Sequence, residues 1–215
     1  MRVIGALAVL MALTGVAGQM TGARAEAITG PQDRTQPYMR VFGVTAPPYA
    51  FVAFCNRMPA QCGDAPPESA RVPGTDSQLA ELDRVNRQIN KEIEPATDMA
   101  LYGVVDYWTI PTTKGDCEDY ALLKRQRLIQ AGWPASSLLM TVVLDEKKEG
   151  HAILTARTAR GDYLLDNKTD ELTLWNQSAY TFVMRQSYLH ARVWMSLDPK
   201  QATPAVPVAT SRQNK

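Results

Sequence analysis

The apolar residues of this chain change their spacing at Gly132–Pro134, and that change limits what the chain can fold into. Before it, two stretches carry apolar residues at helical intervals. In "TDSQLAELDRVNRQINKEIEP", Leu79, Leu82, Asn86, Ile89 and Ile93 share a face, and Thr75 with Gln78 fits a capping box. Pro95 closes the run, so a helix is expected from Asp76 to Glu94. In "CEDYALLKRQRLIQAG", Ala121, Leu122, Arg125, Leu128 and Ile129 repeat the pattern, with Gly132 placed to end the helix and Pro134 beyond it. After Pro134 the period is two. "SLLMTVVL" (Ser137–Leu144), "HAILTART" and "YLLDN" read as three strands joined by polar turns. "TLWNQ" and "SYLHARVWMSL" read as two more, the last with His190 in mid-strand. Helices followed by hairpin-linked strands specify an α+β domain with an antiparallel sheet.

The ends of the chain read differently from this middle. Residues 1–25 have the parts of a secretory signal peptide: Arg2, the apolar run "VIGALAVLMALTGVAG", and "ARA" as a cleavage site. Residues 26–197 then form one domain, exported and not inserted in a membrane, and 198–215 form a patternless, disordered tail. Pro47 and Pro48 argue against a helix in "VFGVTAPPYAFVAFC", and "DMALYGVVDYWTIPTTKGD" reads as an irregular connector. Lys and Arg number 23 against 22 Asp and Glu. Cleavage would remove Arg2 and Arg24 and no acid. That near-neutral balance gives no support for nucleic-acid binding.

Export makes disulfides possible. Cys55 and Cys62 lie in the loop "FCNRMPAQCGDAPP", where a small local disulfide is the plain expectation, and no other Cys or His is near enough to complete a zinc-like set. Cys117 is left as the odd thiol, in "TKGDCEDYALLKRQ". An inert core thiol, a metal ligand, an intermolecular disulfide and a nucleophile are all open to it. Its place in the first turn of a helix favours a thiolate, because the N–H groups there are free and the helix dipole is positive. Asp116, Glu118 and Asp119 oppose a thiolate. A base would have to share the work, and a cation would offset the acids.

The chain has two histidines, His151 and His190. His151 starts the second strand and is the candidate base; Asp166, at the end of the third, is the candidate that fixes its tautomer. Register decides whether they meet. A turn on "ARGD" that pairs Thr158 with Tyr163 puts Asp166 opposite Thr155, about 13 Å along the strand from His151. A turn at Thr158–Ala159 puts Asp166 directly opposite His151. Asn86 and Asn90, one turn apart on the first helix, either hydrogen-bond a neighbouring loop or substrate or form a solvated edge.

The blocks "GDCEDYALLKRQRLIQAGWP", "GHAILTA" and "YLLDN", preceded by "DYWTIP" and "RVNRQIN", resemble the bacterial transglutaminase-like cysteine proteinases, including their LapG-type periplasmic branch. The resemblance implies a papain-like or transglutaminase-like fold with the nucleophile helix packed on the sheet. It implies a periplasmic cysteine endopeptidase with Cys117 as nucleophile, His151 as general base and acid, and Asp166 as the orienting carboxylate. It further implies calcium held by Asp116 and Glu118, with Asp119 a third ligand, and Trp108 beside the oxyanion site. A large surface adhesin as substrate, a role in biofilm release and a membrane-bound regulatory receptor as partner belong to the same resemblance. The "FCNRMPAQC" loop is a departure from the best-studied adhesin proteases. A transglutaminase-type acyl transferase and a non-catalytic peptide-binding module of the same fold are the alternatives.

Overall fold

The computed structural model describes residues 31–64 and 71–202. The segment read as a signal peptide, and the tail from 203 on, lie outside the described residues. Strand β1 (Gly43–Thr45) leads into helix α1 (Tyr49–Arg57), which corrects the expectation that Pro47 and Pro48 prevent a helix here. Both prolines precede the first helical residue, where the missing N–H is not needed and the fixed φ suits helix entry. The Cys55–Cys62 disulfide ties α1 to the single helical turn that follows.

Helix α2 (Asp76–Glu92) starts where the capping box places it: Gln78 N–H donates to Thr75 Oγ1 and Thr75 N–H to Gln78 Oε1. The connector after it is more ordered than its sequence suggests. Strand β2 (Glu94–Pro95) pairs in parallel with β3 (Lys114–Gly115), and between them α3 (Asp98–Tyr102) is capped by Thr97 and ended by Gly103 at φ 71°. Helix α4 (Cys117–Gln130) follows immediately. Gly132, at φ 97°, ends it in a left-handed conformation that glycine adopts without a Cβ penalty.

The period-two half forms β4 (Leu138–Leu144), β5 (Gly150–Thr158), β6 (Gly161–Leu165), β7 (Thr173–Leu174), β8 (Thr181–Gln186) and β9 (Trp194–Ser196). With β1 they make one antiparallel sheet in the order β1-β9-β8-β4-β5-β6-β7. The fold is α+β. Two expected strands are corrected. "TLWNQ" gives only β7 before a helical turn at Trp175–Gln177. "SYLHARVWMSL" contributes only β9, because Gln186 pairs with Trp194 and the chain must reverse between them. Ser187 N–H donates to the Val193 carbonyl across that loop, so His190 sits on an exposed turn, 3.2 Å from Asp64.

Alternation along β5 sorts the core into two layers. Ala152, Leu154 and Ala156 face the helices, joining Leu82, Ile89, Leu128 and Leu138. Two alanines on this strand let the backbone of α4 approach the sheet closely. Ile153 faces the other way, with Val143, Leu164, Trp175 and Phe182, under a cover that includes Met39. Truncating a fully buried leucine such as Leu154 to alanine costs about 2–5 kcal/mol in such a core.

Candidate active site

Cys117 opens α4, with Asp116 as the residue before the helix. Packing of α4 on β5 brings the thiol to the sheet: Ala152 N–H donates to Cys117 Sγ at 3.4 Å. The nucleophile candidate is therefore held against the His151–Ala152 peptide. The thiol in turn donates to Glu118 Oε2 at 3.2 Å. Burial pushes the Cys117 thiol far up from its ordinary value, and the negative charges of Glu118 and Asp116 push it the same way. In these surroundings the thiol is neutral.

His151 and Asp166 come together. His151 Nε2 lies 2.8 Å from Asp166 Oδ1, and both side chains are 2% exposed. The strand register falls between the two weighed from the sequence: Leu154 pairs with Leu165 and Thr158 with Gly161. Asp166 is the residue after β6, placed diagonally to His151, a separation that side chains on one face can bridge. With Nε2 toward Asp166, Nδ1 is the ring nitrogen left for proton transfer.

Asp166 is held from several sides. Its Oδ2 accepts from Tyr180 Oη at 2.6 Å and its Oδ1 from Lys168 N–H at 3.0 Å. Asn90 Nδ2 donates to the Asp166 carbonyl at 2.9 Å, and both Asn86 and Asn90 donate to the Thr169 carbonyl. The two asparagines of α2 thus hydrogen-bond the loop carrying Asp166. Burial would raise the Asp166 pKa, but the hydrogen bond and charge of His151, with the other donors, hold it below the usual carboxylate range. Burial and the neighbouring carboxylate push Tyr180 upward, so its phenol keeps its proton and donates. The Tyr180 ring also stands edge-on to His151 at 5.7 Å between centroids. Nothing in the sequence pattern marks Tyr180; it lies in a loop with no motif.

Lys124, two turns after Cys117 on α4, is fully buried, and its Nζ has no hydrogen-bond partner among the described residues. Burial pushes its pKa down to about 7, while Asp166 and Asp170 pull it upward.

The acids beside Cys117 belong to a larger cluster. The carboxylates of Asp98, Asp116 and Asp119 come within 4.8 Å of one another, as do those of Asp98, Asp106 and Glu118, and those of Asp116 and Glu118 with Sγ of Cys117. Asp98 and Asp106 come from α3 and its following loop and carry no motif of their own. Backbone N–H groups aim several of these oxygens: Tyr107 N–H at Asp98, Thr109 N–H at Asp119 (2.8 Å) and Asp98 N–H at Asp116 (3.2 Å). Oxygens of Asp98, Asp116 and Asp119 remain buried with no partner among the described residues. Burial, with repulsion from Asp116, raises Glu118 to about 9 and Asp119 to about 7. Gly115 gives the cluster its room, since a Cβ there would lie 2.6 Å from Asp119 Oδ2.

Trp108 is buried. Its indole N–H donates to Asp106 at 2.9 Å, and its ring packs edge-on against Phe51 and Trp194. The structure brings Trp108 to the acidic cluster, with its side-chain N–H engaged there by Asp106.

Residues 41–202 match the sequence profile of the bacterial transglutaminase-like cysteine proteinases. Among solved structures, calcium-bound LapG of Legionella pneumophila is 19% identical, with 74% of this chain and 84% of that chain covered and a TM-score of 0.48. LapG from the same organism also matches without a stated ligand and after EGTA treatment. Each of these is 21% identical over 68% of this chain, at a TM-score of 0.47, covering 77% and 75% of the LapG chain respectively. No curated protein sequence matches this chain. The profile spans three quarters of the chain and both halves of the site, and on that ground the chain belongs to the bacterial transglutaminase-like cysteine proteinases, a family of cysteine peptidases.

Proposed function

We propose that this protein is a periplasmic endopeptidase that works through an acyl-enzyme on Cys117, with His151 as base and acid and Asp166 as the group that orients the imidazole. The observation that carries this reading is the buried His151–Asp166 pair at 2.8 Å, beside a cysteine at a helix N terminus. Nδ1 of His151 takes the Sγ proton as Sγ bonds to the scissile carbonyl carbon. The carbonyl oxygen becomes an oxyanion beside the first N–H groups of α4, including that of Cys117, which have no intrahelical partner. The C–N bond then breaks, and His151 gives its proton to the leaving amine. Water, deprotonated by the same nitrogen, attacks the thioester and restores the thiol. Asp166 remains ionised and stabilises the imidazolium.

The acidic cluster fits calcium. Its donors are carboxylate oxygens, which calcium prefers, several are already oriented by backbone N–H groups, and three are buried without a partner among the described residues. Asp116, Glu118 and Asp119 would hold the ion, joined by Asp98 and Asp106. Bound there, calcium supplies positive charge that offsets the acids opposing a Cys117 thiolate.

The substrate is proposed to be a cell-surface or secreted protein such as an adhesin, which the signal-like residues 1–25 and the family support. With calcium present, rapid and selective alkylation of Cys117 by iodoacetamide at neutral pH is expected, and its loss in His151→Ala. Labelling no faster than a free thiol would sink the activated-nucleophile reading. Comparing surface and secreted proteins of cells carrying the parent or Cys117→Ala enzyme identifies the substrate; identical patterns would remove the endopeptidase.

A further inference from the structure

The sheet face turned away from α4 carries a buried charge imbalance that peptide hydrolysis does not use. Arg157 on β5 and Asp162 on β6 are cross-strand partners. Arg185 on β8 shares their face, since it pairs with Thr141, which lies opposite Ile153 on β5. Thr141 and Thr155 hydrogen-bond each other at 2.7 Å, and these short side chains leave space for Arg185 to reach across the sheet. Its Nη1 lies 3.7 Å from Asp162 Oδ2. Arg71, just before α2, donates Nη1 to Asp162 Oδ1 at 2.6 Å and to the Thr158 carbonyl at 3.0 Å. Met39 N–H donates to Oδ2 at 2.8 Å.

Arg71 and Arg185 share the one carboxylate, and Arg157 is its cross-strand partner without an ion pair of its own, so among the described residues three guanidiniums meet one carboxylate and two positive charges are left over. Among the described residues, no other carboxylate lies within ion-pair distance of any of the three. Arg157 and Arg185 are 7% and 4% exposed, and Nε and Nη1 of each have no hydrogen-bond partner among the described residues. Burial, and then repulsion from Arg185 and Arg71, push Arg157 down to about 9, so it stays charged at neutral pH. Unpaired buried cations destabilise a fold strongly, and apolar replacements of buried charge are commonly neutral or stabilising. Arg71 is the member that opens to solvent, with 26% of its side chain exposed. The rings of Tyr38 and Tyr188 lie 4.2 Å and 4.7 Å from the Cζ atoms of Arg71 and Arg157.

We propose that Arg71, Arg157 and Arg185 form a binding site for a phosphate-class dianion, entered past Arg71. Charge selects the ligand: a dianion cancels the excess, whereas a monocarboxylate leaves half of it. Phosphate groups carry about −1.5 to −2 near pH 7, and planar guanidinium forks match oxyanion geometry. Arg157 lies six residues from His151 along β5, about 20 Å at strand rise. The bound anion therefore stabilises the sheet and does not enter the reaction at Cys117, and the site stands whether or not the peptidase reading holds.

The test uses the purified full chain at constant ionic strength. Melting curves are recorded in inorganic phosphate, glycerol phosphate, sulfate, acetate and chloride, and 31P line widths of phosphate are measured with and without protein. A saturable rise in melting temperature is expected with the phosphates and sulfate and not with acetate or chloride, together with 31P broadening that sulfate reverses. Arg157→Met and Arg71→Ala should each weaken apparent phosphate affinity by about tenfold or more, with iodoacetamide labelling of Cys117 unchanged. Should Arg157→Met fail to fold, Arg71→Ala at the half-buried entrance and the parent line widths decide between presence and absence of the site. Tighter binding of glycerol phosphate assigns an organic phosphate, and tighter binding of inorganic phosphate assigns the free ion; either supports the site. Absence of broadening in the parent, an equal effect of acetate, or parent-like affinity in the folded variants would overturn it.

Discussion

Two largely buried charge clusters of opposite sign lie toward opposite ends of β5, and they differ in how they can be relieved. At the His151 end, Asp98, Asp106, Asp116, Glu118 and Asp119 crowd around the start of α4. At the Arg157 end, Arg71 and Arg185 share Asp162, and Arg157 stands opposite it across the strand pair. The acids sit on helix termini and loops, and they can relieve repulsion by taking up protons, as their raised pKa values show. The arginines are anchored largely on strands and cannot lose their protons at working pH. A carboxylate cluster is thus a cation site whose strength depends on pH. A guanidinium cluster remains a standing demand for an anion.

The largest expected effect separates the ends by chemistry. His151→Ala should lower kcat by about a thousandfold or more, while Arg157→Met leaves kcat at the parent value; equal losses in both would break the distinction. Next in size is Gly115→Ala. The added Cβ would lie 2.7 Å from Asp119 Cβ, an atom that cannot swing away. A loss of about 1–3 kcal/mol is expected, together with loss of any calcium-induced rise in melting temperature. Denaturant unfolding with calcium and with chelator checks both.

The pH dependence follows from the same contrast. Glu118 at about 9 and Asp119 at about 7 are raised above ordinary carboxylate values. Between pH 4 and 9 the folded chain binds more protons there than the unfolded chain, so stability present at low pH is lost as pH rises through 7 to 9. Chelator-treated protein should therefore melt lower at pH 9 than at pH 5.5, with calcium reducing the difference, and Asp116→Ala with Glu118→Ala should erase the calcium effect. A metal-free protein that gains stability with pH over this range would contradict the assignment. The smallest effect is expected for Tyr180→Phe, which removes one donor to Asp166: about 1 kcal/mol of stability and a modest fall in kcat, with KM unchanged.

Much of the fold was legible because local chemistry agreed with tertiary demand. The capping box at Thr75, the αL glycine at Gly132 and the alternation of β4 to β6 each act within a few residues, so their sequence signals carry through to the structure. Prolines 47 and 48 misled because they lie outside a helix, at its start, where proline is tolerated. The alternation of "SYLHARVWMSL" misled because pairing of Gln186 with Trp194 requires a reversal that alternation does not reveal. Within the site, Cys117, His151 and Asp166 stood out through residue type and position, whereas Tyr180, Asp98 and Asp106 did not. Those three lie in segments without a motif, and each matters only through the side chains it meets.

The sequence by itself determined the order of elements and the residue types at the site: a helix opened by an acid-flanked cysteine, a histidine at a strand start and an aspartate at the end of the next. Only the tertiary structure decided that histidine and aspartate meet. A two-residue difference in strand register changes their separation by several ångströms, and the register is set by packing of both sheet faces. The charge clusters were decided the same way. Charged groups far apart in sequence are indistinguishable from solvated surface residues until folding removes the water between them, and burial then makes their missing counter-ions visible.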